Sequence, residues 1–155
     1  MRTPRRAWRP KQHIRPLALG VVWRGDEVLL CRVFDDEGNT EGWRPLGGGI
    51  DFGERAEAAV RREFLEEIGE EIVSPTLLGV LESHYEHYGM TGHEIVFVFD
   101  ARFMREEAYD TESWAYEEEA YDGAAEWVHT GLLRSGSEAL FPDGLLALLT
   151  ERRQG

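Results

Sequence analysis

The chain has 155 residues and a mass of 17.7 kDa, the size of one compact domain, and its five Trp, five Tyr and seven Phe suffice for a sizeable core. No apolar run reaches the roughly 18 residues of a membrane helix, the Arg-rich start lacks a signal peptide's apolar stretch, and the one cysteine, Cys31, excludes an internal disulfide framework. The net charge of -13 is uneven: residues 1–16 carry six basic side chains and no acid, leaving eleven basic against thirty acidic in residues 17–155, a charge of -19. A body that acidic repels duplex nucleic acid, and a phosphate substrate would need cations bound first. The expectation is a soluble cytoplasmic protein: a basic arm over 1–16, then one domain over 17–155.

In chain order, residues 17–24 and 27–33 read as two strands joined by a tight turn at Gly25-Asp26. Residues 35–42 read as a polar loop, and a short strand over 43–46 leads into a turn at Gly47-Gly48-Gly49. Residues 55–68 lack Gly and Pro and are rich in Ala, Glu, Arg and Leu, so they predict a helix that Gly69 ends. Strands follow over 76–87 and 93–104, with 88–92 as the hairpin turn. Residues 105–122 read as an acidic loop, 124–129 as a strand and 142–153 as a C-terminal helix. The sum is a mixed α/β domain.

On a helical wheel Ala56, Val60, Phe64 and Ile68 form an apolar stripe, and Glu67 falls inside it, about 20° from Val60. Glu63 and Glu66 border the stripe. Carboxylates at i, i+3 and i+4 repel one another, and burial makes their ionised form costlier. A divalent cation removes that cost, with magnesium or manganese favoured by hard oxygen ligands. A merely charged helix flank is the competing reading. The glycines before the helix let backbone approach a ligand or the helix start closely, although read alone they are better explained by a plain structural turn.

Gly48, Glu54, Arg62-Glu63-Phe64, Glu66-Glu67 and Gly69 resemble the Nudix box, G-x5-E-x7-R-E-U-x-E-E-x-G-U, where U is a bulky apolar residue. The box spans residues 48–70, and the one departure is its last position, where Glu70 stands in place of an apolar residue. The resemblance implies an α/β/α sandwich with a mixed sheet. It implies a pyrophosphohydrolase that cleaves a nucleoside diphosphate linked to another moiety by water attack on phosphorus. Nucleoside triphosphates, nucleotide sugars such as ADP-ribose and dinucleoside polyphosphates are all open as substrates. It further implies that Glu63, Glu66 and Glu67 ligate Mg2+ or Mn2+, with a backbone carbonyl of Gly48. Glu67 or a partner would orient or deprotonate the water, and Arg62 would position carboxylates, Glu54 first. The alternative is a nucleotide-binding regulatory module that keeps this fold without catalysis; such modules usually lose box acids, and none is missing here.

Outside the box, Arg44 and Arg32 are candidates for substrate phosphates, against a reading as surface salt bridges. Family members often recruit one more acid, and the candidates are Glu119, Glu118, Glu117 and Glu94. His84 and His87, three apart on a strand, face opposite sides, so a histidine metal site among His84, His87 and His93 is rejected. The basic arm is expected to dock on its own domain or on the partner of a homodimer, the alternative being attraction of an anionic substrate.

Overall fold

A computed structural model describes residues 9–117 and 122–154. Its strands are β1 (Ile14–Arg24), β2 (Glu27–Phe34), β3 (Thr40–Arg44), β4 (Leu46–Gly49), β5 (Ile72–His87), β6 (Met90–Phe103), β7 (Ser113–Glu117) and β8 (Asp122–His129). The helices are α1 (Ala56–Ile68), α2 (Thr130–Arg134) and α3 (Leu145–Gln154), with a 3-10 turn at Glu106–Asp110. The strands run β5-β6-β1-β2-β8-β7, with β3 added to β2 and β4 to β1. β1 pairs in parallel with β6, from Ile14 opposite His93 to Val22 opposite Ala101, while the other strand pairings are antiparallel.

Strand alternation sends side chains to two cores. Ala18, Val22, Leu29, Cys31, Phe99 and Ala101 pack with Ala59, Val60 and Phe64 of α1. Leu17, Leu19, Val21, Val28, Leu30, Val96 and Val98 pack with Leu133 of α2 and Leu145 and Leu149 of α3. β1 is therefore buried on both faces, which explains its unbroken apolar run. Helices thus cover both faces of a mixed sheet, the expected α/β/α arrangement. No helix among the described residues is long and apolar enough to cross a membrane.

Several boundaries differ from the sequence reading. β1 begins at Ile14, inside the segment read as an arm, because Ile14 to Pro16 find partners on β6. The glycine triplet is strand, not turn: Gly47, Gly48 and Gly49 pair with Leu19, Ala18 and Leu17. The hairpin turn shrinks to Tyr88-Gly89, both at positive φ (53° and 76°), the conformation a two-residue turn between twisted strands requires. β5 starts at Ile72, absorbing Ser74-Pro75 through a register shift between Val73 and Thr76. Part of the acidic loop is strand β7, anchored where Trp114 packs against Phe103 and Trp127. α3 starts at Leu145 because Gly144, at φ 92°, leaves the helical region. The apolar stripe of α1 is as expected, with Gly69 closing the helix at φ 71° by an N–H bond to the Leu65 carbonyl.

Candidate active site

Two glycines set the position of α1. A Cβ on Gly20 would stand 2.6 Å from Phe64 Cε1 and 3.0 Å from Val60 Cγ2, so the bare backbone of β1 lets the helix seat closely. A Cβ on Gly48 would stand 2.6 Å from both Cδ and Oε1 of Glu63. The β4 backbone and the Glu63 carboxylate are thereby pressed together.

Arg62 organises the residues behind that contact. Its Nε and Nη2 donate to the two Glu54 oxygens at 2.8 and 2.9 Å, and Nη2 also donates to the Gly49 carbonyl at 2.9 Å. Nη1 donates to Glu63 Oε1 at 3.1 Å and Glu66 Oε2 at 3.2 Å. One guanidinium therefore ties the end of β4, the loop before α1 and two turns of the helix into a single unit. Its hydrogen bonds, joined by one from the Asp51 N–H, hold the Glu54 carboxyl down at about 2. The same bond to Glu54, reinforced by the Glu63 and Glu54 charges, raises Arg62 further above its ordinary value.

Glu63, Glu66 and Glu67 line a cavity of about 660 Å³. Glu67 places one carboxylate oxygen, Oε2, out of solvent, and Glu63 keeps only 14% of its side-chain surface exposed, against 59% for Glu66. Across the cavity stand Arg15, Arg44, Tyr85, Glu94, Phe34 and Phe141. Glu94 Oε2 accepts from Arg15 Nη1 at 3.2 Å and from the Tyr85 hydroxyl at 3.3 Å. Burial first, and then the Glu94 charge, push the Tyr85 hydroxyl above its ordinary value, so it stays protonated as a donor. The donor set on α1 is all carboxylate, and the Gly48–Glu63 contact sets a backbone strand beside it. Those are the hard oxygen donors that suit magnesium or manganese, and the residues present fit such an ion.

Of the expected site residues, Glu63, Glu66, Glu67, Arg44 and Glu94 line the cavity, with Arg62, Glu54 and Gly48 directly behind it. Arg32 does not line it. Its guanidinium is held by Glu126 at 2.9 Å and by Thr40 at 3.0 Å, and lies 4.5 Å from the Trp43 ring centre. The strand pairing of β2 with β8 and β3 makes Arg32 a cross-strand tie, so its substrate role is withdrawn. Glu118 and Glu119 lie outside the described residues. Arg15, Tyr85 and Ser83 are cavity residues that the sequence reading missed; Arg15 was counted with the arm, and its place opposite Glu94 follows from the β1–β6 register. The departure at Glu70 also has a structural account. Glu70 is buried, and Arg105 clamps its carboxylate with bonds of 2.6 and 3.2 Å, so an ion pair fills the place of an apolar plug. Arg105 is itself raised, chiefly by that hydrogen bond.

The NUDIX domain family model matches residues 13–146. Nucleoside triphosphatase NudI of Escherichia coli O139:H28 is 40% identical over 60 residues, and the same protein of Shigella flexneri matches equally. That match covers 38% of this chain and 43% of each relative's length. Among solved structures, the MutT NUDIX hydrolase from Burkholderia pseudomallei superposes with a TM-score of 0.64 at 26% identity, covering 88% of this chain and 97% of the other. A NUDIX hydrolase from Nitrosomonas europaea shares the fold with a TM-score of 0.66 at 18% identity, over 92% of this chain and 90% of that one. A family model spanning most of the chain, a box complete but for its last apolar position and a shared fold agree: the chain belongs to the Nudix hydrolase family.

Proposed function

We propose that this protein is a magnesium- or manganese-dependent pyrophosphohydrolase acting on nucleoside triphosphates or related nucleoside diphosphate derivatives. The observation that supports it most is the cavity itself, with Glu63, Glu66 and Glu67 on one wall and Arg15 and Arg44 among its other residues. The name of the NudI relatives points to the triphosphate class. Glu63, Glu66 and Glu67, with the Gly48 carbonyl, would hold the ion. When bound, a divalent cation supplies charge neutralisation at phosphate oxygens and a more acidic water.

The chain's own groups do the rest. Arg62 already bonds Glu63 and Glu66, which holds their carboxylates in place before a cation arrives. Glu67, partly buried beside the core, takes a proton from the attacking water at a carboxylate oxygen. Arg15 and Arg44 offset phosphate charge, and the Tyr85–Glu94–Arg15 chain of bonds fixes the orientation of the Arg15 guanidinium. Phe34 and Phe141 give the cavity apolar surface suited to a base or ribose face.

Incubating the protein with a nucleotide panel and resolving products by chromatography and phosphorus NMR tests this reading. EDTA is expected to abolish hydrolysis and magnesium or manganese to restore it. Undiminished hydrolysis after EDTA, or none of any nucleotide with magnesium present, would overturn it.

A further inference from the structure

The β5–β6 hairpin has two faces, and the cavity uses one of them. Ser83, Tyr85 and, on β6, Glu94 and Val96 line the cavity. Alternation along both strands turns Glu82, His84 and His93 to the other face. His84 and His93 are direct cross-strand partners, their ring centres 3.8 Å apart at 63°. His93 Nε2 lies 3.1 Å from Glu82 Oε2. One ligand atom from each of the three residues falls within 4.8 Å of the others.

His84 and His87 do face opposite sides, and His87 lines the cavity. The pairing that matters joins His84 to His93 across strands, which spacing along one strand does not show.

We propose that Glu82, His84 and His93 form a second metal site for a borderline divalent transition ion of the zinc class, separate from the carboxylate site of α1. Two imidazoles and one carboxylate are the donor set such ions prefer over magnesium. Tetrahedral coordination with bonds of about 2.0–2.1 Å needs donors roughly 3.4 Å apart, a gap from 4.8 Å that ion binding would close by rotating the side chains. An ion pair between His93 and Glu82 needs no second imidazole, whereas His84 completes a chelating trio. The competing soft ligand, Cys31, is buried in the core. Three protein ligands leave a coordination position open, and the ion would pin β5 to β6 directly behind the wall carrying Ser83, Tyr85 and Glu94.

Zinc titration by calorimetry, with excess magnesium present to fill the α1 carboxylates, tests the site. One equivalent of zinc should bind the wild-type protein. His84→Ala and His93→Ala should each weaken that binding roughly tenfold or more, the loss expected when a metal's coordination is damaged. His87→Ala, three residues along on the opposite face, should retain it. Zinc should raise the Tm of wild type and not of the double variant His84→Ala/His93→Ala, while the two proteins melt alike in EDTA because both histidines sit at the surface. Absence of zinc binding in wild type, equal binding by the double variant, or loss in His87→Ala comparable to that in His84→Ala would overturn the assignment. None of these outcomes touches magnesium-dependent hydrolysis, which is measured separately.

Discussion

Helix α1 and the β5–β6 hairpin form two walls of the same cavity, and they encode their contributions differently. In α1 the functional groups are set by spacing along one chain: Glu63, Glu66 and Glu67 sit at i, i+3 and i+4, and Arg62 reaches back eight residues to Glu54. In the hairpin they are set by register between chains: Tyr85 reaches Glu94 across the turn, and Glu94 meets Arg15 on a strand 79 residues away. A helix brings its own residues together through its period, so its chemistry is readable locally. A sheet brings together residues whose separation depends on where each turn falls, and a one-residue slip would send the whole set to the other face.

Breaking the helix wall should have the largest effect. Glu67→Gln keeps size and removes the charge and the proton acceptor, so turnover should fall by a factor on the order of 100 or more. Glu57→Gln, on the same helix but exposed and bonded only to Arg61 in an i,i+4 pair at 3.5 Å, should change little. On the hairpin wall, Tyr85→Phe removes one hydrogen bond to Glu94 and should alter kcat/KM by roughly two- to tenfold, the range of a single net hydrogen bond. Steady-state kinetics on the three variants decide the matter. Equal loss in Glu67→Gln and Tyr85→Phe would erase the distinction between a catalytic wall and a positioning wall, and unchanged turnover in Glu67→Gln would move the catalytic centre elsewhere.

The seating of α1 is the next point of attack. Gly20→Ala places a methyl 2.6 Å from the Phe64 ring, and Phe64 is fully buried with no room to retreat. Overpacking of that kind costs about 1–3 kcal/mol. Urea unfolding should register the loss, and activity should fall with it because a displaced helix draws Glu63 from Gly48. A variant as stable and as active as wild type would mean that the close approach at Gly20 does not position the acids.

The same contrast explains what the sequence disclosed. The apolar stripe Ala56, Val60, Phe64 and Ile68, the Gly69 stop and the acids Glu63, Glu66 and Glu67 were all visible, because each is a relation within fourteen residues of one helix. Glu94 was visible as a candidate but not its partners Arg15 and Tyr85. Arg15 looked like part of a basic arm because residues 1–16 carry six cations and no acid, yet pairing with β6 places it in the wall of a cavity. For Arg32 the salt-bridge alternative holds: from its strand end it meets Glu126, which β8 brings alongside and which spacing along one chain does not show. Midway along the arm, Arg9 bonds Asp36 at 2.5 Å and lies 3.7 Å from the Tyr88 ring centre. Within the described residues the arm thus meets its own domain at Arg9.

The smallest expected effect concerns the clamp rather than the acids it holds. Glu54 titrates at about 2 in the folded protein against an ordinary value of 4.5, because Arg62 and the Asp51 N–H bond its ionised form. A depressed carboxyl contributes stability above its unfolded pKa and loses it as pH falls toward the folded one. The window is therefore pH 4.5 down to about 2. Glu54→Gln cannot ionise, so the difference in urea midpoint between wild type and this variant should be constant from pH 8 to about pH 5. Below that it should shrink, approaching zero near pH 2. The clamp is partly buried but still reached by solvent, with 29% and 17% of the two side-chain surfaces exposed, so screening should keep the plateau modest. Its pH dependence carries the argument, since loss of packing alone would give a difference that ignores pH. A pH-independent difference would mean that Arg62 holds Glu54 by shape and not by charge, and the helix wall would then rest on packing rather than on its ion pairs.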